Sequence, residues 1–366
     1  MIINSSDIEK AQLIISNIKK EDLIDTKDYI ENLKKFAEHP ISDGCLPFME
    51  STVIPHFMPI GYYIKSDEKH FQILAGQFEH MYLYRGENRD YPEFTPSIDR
   101  LDKEDIDHCI EWIKAEEFKE FFKSCIYYKR LSEIEVAGYN FQPDIEAIAQ
   151  HYGFATSYLD FTQHHDVARF FALTYFDKEE GIYKPIREDD DYVPRIYSIK
   201  LTDIYDLCKD ALKIVGLQPL GRPTLQMAFA IDTRLYNNDL KSNFKVTMLK
   251  KDNTGTNYIY NDLFNKGKTL FPDERILQDV NRIKNGNGRN ANIPSKWLLK
   301  YSKLFNKDYN KLRSQLSKKH YKVVDKFYAL TKAEQEQINI ETTTKILPWI
   351  EKNIGFMPKE LNLPPY

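Results

Sequence analysis

The sequence predicts an α+β protein: a mixed helix and strand core with N-terminal and C-terminal helical extensions. Three observations carry that expectation. Apolar residues recur at helical spacing toward both ends of the chain. Alternation of period two is confined to the second half of its middle. Stretches rich in Gly and Pro separate these regions. The 366 residues suffice for two or three compact units at roughly 100–200 residues each. The shifts in pattern divide the chain into an N-terminal helical region and connector at 1–75, a core at 76–282, and a linker with a helical region at 283–366.

At the N-terminus, Ser6 and Glu9 fit a capping box, in which the serine caps the first turn and the glutamate reaches back. Ile8, Ala11, Ile15 and Ile18 then follow on one helical face, and Tyr29, Ile30, Leu33, Phe36 and Ala37 repeat the pattern. Residues 40–62 mix Pro, Gly and aromatics and read as an irregular connector. A strand is expected at 81–84, ending in Arg85 and Gly86, and Pro92 and Pro96 place 88–100 in a loop. Helices are expected over about 102–131 and 144–152, the second burying Ile145, Ile148, Ala149 and Tyr152. Gly153 stands where a left-handed cap ends it.

A short extended piece at 155–159 leads to Asp160 and Thr162, placed at the start of another helix. There Thr162 would cap free amides and Asp160 would gain from the helix dipole. The buried stripe of that helix is Ala168, Phe171, Ala172 and Tyr175. Further on, Tyr197, Ile199 and Leu201 alternate with Ser198 and Lys200, and 225–231, 244–249 and 258–260 are further strand candidates. Residues 188–191 read as a solvated loop. Residues 285–289 read as a flexible linker to a helical tail over 294–358, where Trp297, Leu298, Tyr301 and Leu304 share a face.

Composition narrows the function. Hydrophobic residues at 42% and charged residues at 29% are globular usage, which excludes collagen-like and low-complexity chains. No apolar run approaches the eighteen or so residues that span a bilayer, so no membrane association is expected. Asp7, Glu9 and Lys10 interrupt the N-terminus before any long apolar stretch, unlike a secretory leader. Cys45, Cys109, Cys125 and Cys208 form no C-x-x-C pair, which argues against a disulfide scaffold or a zinc ribbon. Reduced thiols and no export signal point to the cytoplasm. The net charge of -4 is not that of a nucleic-acid binder. Residues 296–326 differ: ten Lys/Arg stand against Asp308 and Asp325. With Tyr301, Phe305, Tyr309 and Tyr321 among them, these basic helices are suited either to nucleic acid or to packing on the core.

The P-loop, Rossmann, nucleophile-elbow and zincin signatures are all absent. What remains is three polar constellations. Arg85 follows Tyr84 at a strand end; its guanidinium fork suits phosphate or carboxylate, Gly86 permits close approach of backbone, and Glu87 adds a carboxylate. His151 precedes Tyr152 and Gly153, with Thr156, Tyr158, Asp160 and Thr162 close behind; His151 suits an acid, a base or a core donor. Arg222 and Gln226 form the third group, able to read an amide or a ribose or to satisfy backbone. No histidine spacing provides a third ligand, so no metal is expected. Residues 269–273 read as a structural anchor.

In this order the pieces resemble the FRG domain family. The resemblance runs over about residues 76–282. It rests on Tyr84, Arg85 and Gly86; Thr95 to Arg100; Ala149 to Gly153; Leu159, Asp160 and Thr162; Asp166 to Ala172; Arg222 and Gln226; and Leu270 to Asp273. Ser157 stands where the family usually has arginine, Phe161 where it has tryptophan, and Ala228 where it has glycine. The family is mainly bacterial and phage-borne. Its opening strand is similar to that of arginine-type ADP-ribosyltransferases, which implies an NAD-dependent ADP-ribosyltransferase or NAD-cleaving effector in toxin or phage-defence systems. On that resemblance Asp160, His151 and Glu87 would be catalytic, and Asp160 would stabilise the reacting sugar. Arg85, Gly86, Tyr152, Thr156, Tyr158, Thr162, Arg222 and Gln226 would bind NAD or another nucleotide, with a nucleic-acid or protein acceptor. Arg85→Ala would then abolish nicotinamide release and leave the melting temperature nearly unchanged. The alternative is a non-catalytic nucleic-acid-binding or regulatory module built on the basic C-terminal helices.

Overall fold

The computed structural model describes residues 24–25, 27, 61–65, 67–75, 82–136, 138–216, 220–236, 239–285, 292–326, 328–341, 343–344 and 354–356. The helical patterns expected at 6–18 and 29–37, the connector at 40–60, most of the linker, and the tail at 345–353 and 357–358 lie outside them.

The fold is α+β. Its centre is an antiparallel sheet of six strands in the spatial order Leu212–Ile214, Ala228–Asp232, Tyr158–Thr162, Tyr82–Glu87, Arg195–Lys200 and Lys245–Met248. Registers are set by Tyr84 opposite Thr162, Asp160 opposite Ala230, and Arg85 opposite Tyr197. Side chains alternate across each strand. Leu83, Leu159, Phe161, Tyr197, Phe229 and Ile231 therefore share one core with Ile204 and Cys208 of the helix Leu201–Cys208. On the other face, Ala147 of the helix Ile145–His151 packs with Tyr158, Ala228 and Ala230. Ala168 and Ala172 of the helix His165–Ala172 pack there on Ile196.

That last helix lies directly against the Arg85 strand, and Gly86 makes the contact possible. A Cβ there would sit 1.9 Å from the Ala168 carbonyl oxygen and 2.8 Å from the Ala172 amide nitrogen. The close backbone approach that Gly86 permits is thus to the helix. Gly86→Ala should destabilise the protein by about 1–3 kcal/mol through overpacking, read as a lower melting temperature. An unchanged melting temperature would contradict this packing.

The long helix Ile106–Ser124 ends earlier than its apolar pattern suggests. Cys125 is extended, and a second helix, Ile126–Ser132, starts after it. Phe118, Phe121 and Phe122 join Tyr152, Phe154, Val280, Ile283 and Ile338 in one cluster, while Ile110 and Ile113 meet Trp297, Leu298, Tyr301 and Leu316 in another. Leu304 is exposed instead of completing the tail's apolar face. The basic segment forms the helices Ser295–Leu304 and Tyr309–Lys318. Lys296 pairs with Glu120 at 2.8 Å, Lys300 with Glu116 at 3.2 Å and Lys319 with Asp107 at 2.6 Å, and Lys307 pairs with Glu104. These four lysines thus face the acidic side of the long helix or the turn before it.

Three local expectations are corrected. Asp160 and Thr162 lie within a strand, because Leu159 and Phe161 alternate into the core between them. The helix starts at His165, as expected from a start near His164, and the His164 ring accepts from the Asp166 amide as N-cap; its buried residues are Val167, Ala168, Phe170 and Ala172. Residues 258–260 are helical, continuing from a run that Asp252 caps by accepting from the Gly255 amide. The segment at 225–231 splits into the helix Gly221–Leu225, a left-handed Met227 and the strand Ala228–Asp232.

Candidate active site

Arg85 projects from its strand into a cleft beside the Asp160 strand. Its Nε–H donates to Glu87 Oε1 at 2.9 Å, and one terminal N–H donates to the Asp160 carbonyl at 2.9 Å. The guanidinium also lies 5.3 Å from the Phe94 ring and 6.0 Å from the Phe161 ring. Side-chain exposure is 14% for Arg85 and 5% for Glu87, so this pair is nearly buried. Glu87 keeps one oxygen, Oε2, buried without a hydrogen-bond partner.

His151 ends the helix Ile145–His151 and points at Asp160. Its orientation is set from behind. Gln226 Nε2–H donates to the Leu270 carbonyl at 3.1 Å, which turns Gln226 Oε1 toward His151 Nδ1, also at 3.1 Å. Nδ1 therefore carries the ring proton and Nε2 is left as an acceptor. Nε2 faces Asp160 Oδ1 at 3.9 Å, and both atoms are buried without a hydrogen-bond partner. Burial lowers the pKa of His151; Asp160 and the Gln226 bond oppose this, and Arg222 adds to it. The imidazole is thus neutral at pH 7. An unfolded chain takes up this proton near the ordinary imidazole value of 6.5, which the native state does not. This group therefore removes stability as the pH falls below that value.

These groups converge on a cavity of about 280 Å³. It adjoins a second of about 270 Å³, with which it shares Arg85, Arg100 and Asp160. Each lies near the lower end of the roughly 300–1,000 Å³ range of small-ligand sites. The first has aromatic walls that include Phe171, Tyr175 and Tyr183. A larger concavity of about 1160 Å³ exists elsewhere; Tyr158 alone of the three polar constellations reaches it, with Lys296, Trp297 and Lys300 of the basic segment.

The structure thus brings together Arg85, Glu87, His151, Asp160, Thr162 and Gln226, along with the backbone of Gly86. Thr162 orders the floor: its hydroxyl donates to the Gln226 carbonyl at 2.6 Å and accepts from the His164 amide at 3.0 Å. Four selected residues lie elsewhere or are occupied. Tyr152 is buried, with its hydroxyl on Glu274. Thr156 is buried and bonded to Gln150, with the Ser97 hydroxyl on its amide at 3.0 Å. Tyr158 reaches the second cavity but donates to Asp144 at 3.0 Å. Arg222 sits behind His151, donating to its carbonyl at 3.4 Å, 5.0 Å from the Tyr152 ring and 5.5 Å from that of Phe271.

One of the two arginines of the cleft is not marked by its local sequence pattern. Arg100, in the short helical turn Ile98–Arg100, lines both cavities. Its signal was present in the segment Thr95 to Arg100, which carried part of the family resemblance. Among the described residues, no group of three or more His, Cys, Asp or Glu side chains could hold a metal ion. No helix among them is long and apolar enough to cross a membrane.

Comparison with known protein families gives one match: the FRG domain model aligns with residues 80–181. That stretch holds Arg85, Glu87, Arg100, His151, Asp160 and Thr162, and ends before Gln226. No curated protein and no solved structure matches the chain.

Proposed function

We propose that this chain, which carries an FRG domain at residues 80–181, binds an NAD-type dinucleotide in the Arg85 cleft and breaks its nicotinamide–ribose bond. The ADP-ribosyl group passes to an acceptor or to water. The observation that best supports this reading is the pair of uncommitted acceptors, Asp160 Oδ1 and His151 Nε2, facing each other beside Arg85 and Arg100. Such a cleft offers a cation to a diphosphate, aromatic walls to a flat ring and a carboxylate to a developing positive charge.

The chemistry follows from those parts. As the bond from ribose C1′ to the nicotinamide nitrogen lengthens, its electron pair leaves with the nicotinamide, which departs neutral. Positive charge grows on the sugar, and the Asp160 carboxylate stabilises it. An acceptor O–H or N–H, or water, then forms the new bond at C1′ and gives its proton to His151 Nε2. Gln226 acts as a positioning residue by fixing the tautomer that leaves Nε2 free. An enzyme of this kind would deplete NAD or modify a target, the effector roles the family resemblance implies.

Thermal melting with and without NAD tests the binding step. NAD should raise the melting temperature of the full chain, since a ligand that binds only the native state stabilises it. No shift at millimolar NAD would contradict the reading. Because the mechanism needs neutral His151, the acid limb of the pH–rate profile should have its midpoint below the ordinary imidazole value of 6.5. A midpoint above that value would exclude His151 as the base.

A further inference from the structure

We propose that Arg100, and not Arg85, takes the diphosphate of the bound nucleotide, and that Arg85 is a positioning residue. This rests on the reading of the cleft as a nucleotide site. The two guanidiniums differ in how much of their bonding is already committed. Arg85 lies against the touching rings of Phe94 and Phe161 and spends its Nε–H on Glu87 and a terminal N–H on the Asp160 carbonyl. Its charge is offset by a carboxylate 2.9 Å away. A phosphate drawn to Arg85 would meet the Glu87 carboxylate, whose second oxygen is already uncompensated.

Arg100 is arranged differently. Its Nε–H donates to the Thr95 carbonyl at 2.9 Å, which fixes the plane of the group. No acidic side chain pairs with it among the described residues, and both terminal nitrogens are left for a ligand. It is solvent-exposed at the rim yet lines both cavities, so it stands where a linker between two halves of a dinucleotide would pass. Partial desolvation lowers its pKa, and the neighbouring positive charge of Arg85 lowers it further; Tyr91, Glu87 and Asp160 act in the opposite direction. Two like charges held close, one of them unpaired, favour an incoming anion. The planar fork of Arg100 matches a phosphate in bidentate fashion.

Arg85 still matters to the site. It holds the Asp160 backbone and the Glu87 side chain, so its loss would disturb where Asp160 stands without removing the anion contact.

The test is calorimetric titration of the full chain with three probes: inorganic pyrophosphate, ADP-ribose and nicotinamide riboside, which has no phosphate. Wild type is compared with Arg100→Ala, Arg100→Lys and Arg85→Lys. Arg100→Ala should weaken pyrophosphate and ADP-ribose by about tenfold or more and leave nicotinamide riboside within about twofold. Arg100→Lys should recover part of the loss. Arg85→Lys, which keeps a charge beside Glu87, should hold pyrophosphate near the wild-type affinity. Unchanged ADP-ribose binding in Arg100→Ala overturns the proposal, as does a larger loss in Arg85→Lys or no pyrophosphate or ADP-ribose binding by the wild type. Pyrophosphate binding that depends on Arg100 in a protein that does not turn over NAD supports the anion site and removes the NAD reading. Turnover of NAD that is insensitive to Arg100→Ala does the reverse.

Discussion

Arg85→Ala is expected to lower the folding stability by about 3–5 kcal/mol, the usual cost of stranding one partner of a buried ion pair. Glu87 is the residue stranded. Its side chain is 5% exposed, one oxygen is held by Arg85 Nε, and the other has no partner even in the intact protein. Removing the guanidinium also frees the Asp160 carbonyl and leaves a gap beside Phe94 and Phe161. The melting temperature should fall by roughly 5–10 °C. Adding Glu87→Gln should return part of that loss, because a neutral amide is cheaper to bury than an unpaired carboxylate. The double-mutant cycle would then be strongly non-additive. The family resemblance implies a ligand residue whose loss leaves melting nearly unchanged; the buried pair with Glu87 argues for the opposite. Melting of Arg85→Ala within about one degree of wild type would contradict that role for the buried pair.

Asp160→Asn should behave in the opposite way. The Asp160 side chain is 44% exposed and Oδ1 has no hydrogen-bond partner, so no part of the fold depends on its charge. The amide fills the same space, and its melting temperature should stay within about two degrees of wild type. The reaction loses the carboxylate that faces the cationic sugar, so the rate of nicotinamide release should fall by about 10²–10³. Release at the wild-type rate would remove Asp160 from the chemistry. A large drop in melting temperature would show instead that its charge supports the fold.

Much of the frame was legible in the sequence because it is written locally. Gly153 has φ +78° and ends the helix as its position suggests. The alternation at Arg195–Lys200 follows from a pattern of period two. What local pattern could not supply was depth and partnership. Tyr152 sits on the apolar face of its helix and also beside His151; burial prevails, and its hydroxyl is taken by Glu274. The 5-residue strand at Tyr158–Thr162 is short, and Asp160 and Thr162, on the face that meets the helix Ile145–His151, hide the alternation of Leu159 and Phe161.

The site itself was legible as residue types but not as pairs. His151 and Gln226 were both singled out, yet their contact joins positions 75 residues apart, and only the antiparallel pairing of Ala228–Asp232 with Tyr158–Thr162 brings them together. Arg100 was passed over because its chain neighbours are those of an ordinary loop. The turn that carries it is held to Thr156, whose carbonyl accepts from the Ile98 amide at 3.3 Å.

The most direct test of the account is nicotinamide release from NAD by the purified full chain, with and without cell lysate as a source of acceptor. The account predicts release by the wild type and its loss in Asp160→Asn, with both proteins melting alike. No release under either condition, together with no change in melting on adding NAD, would contradict it.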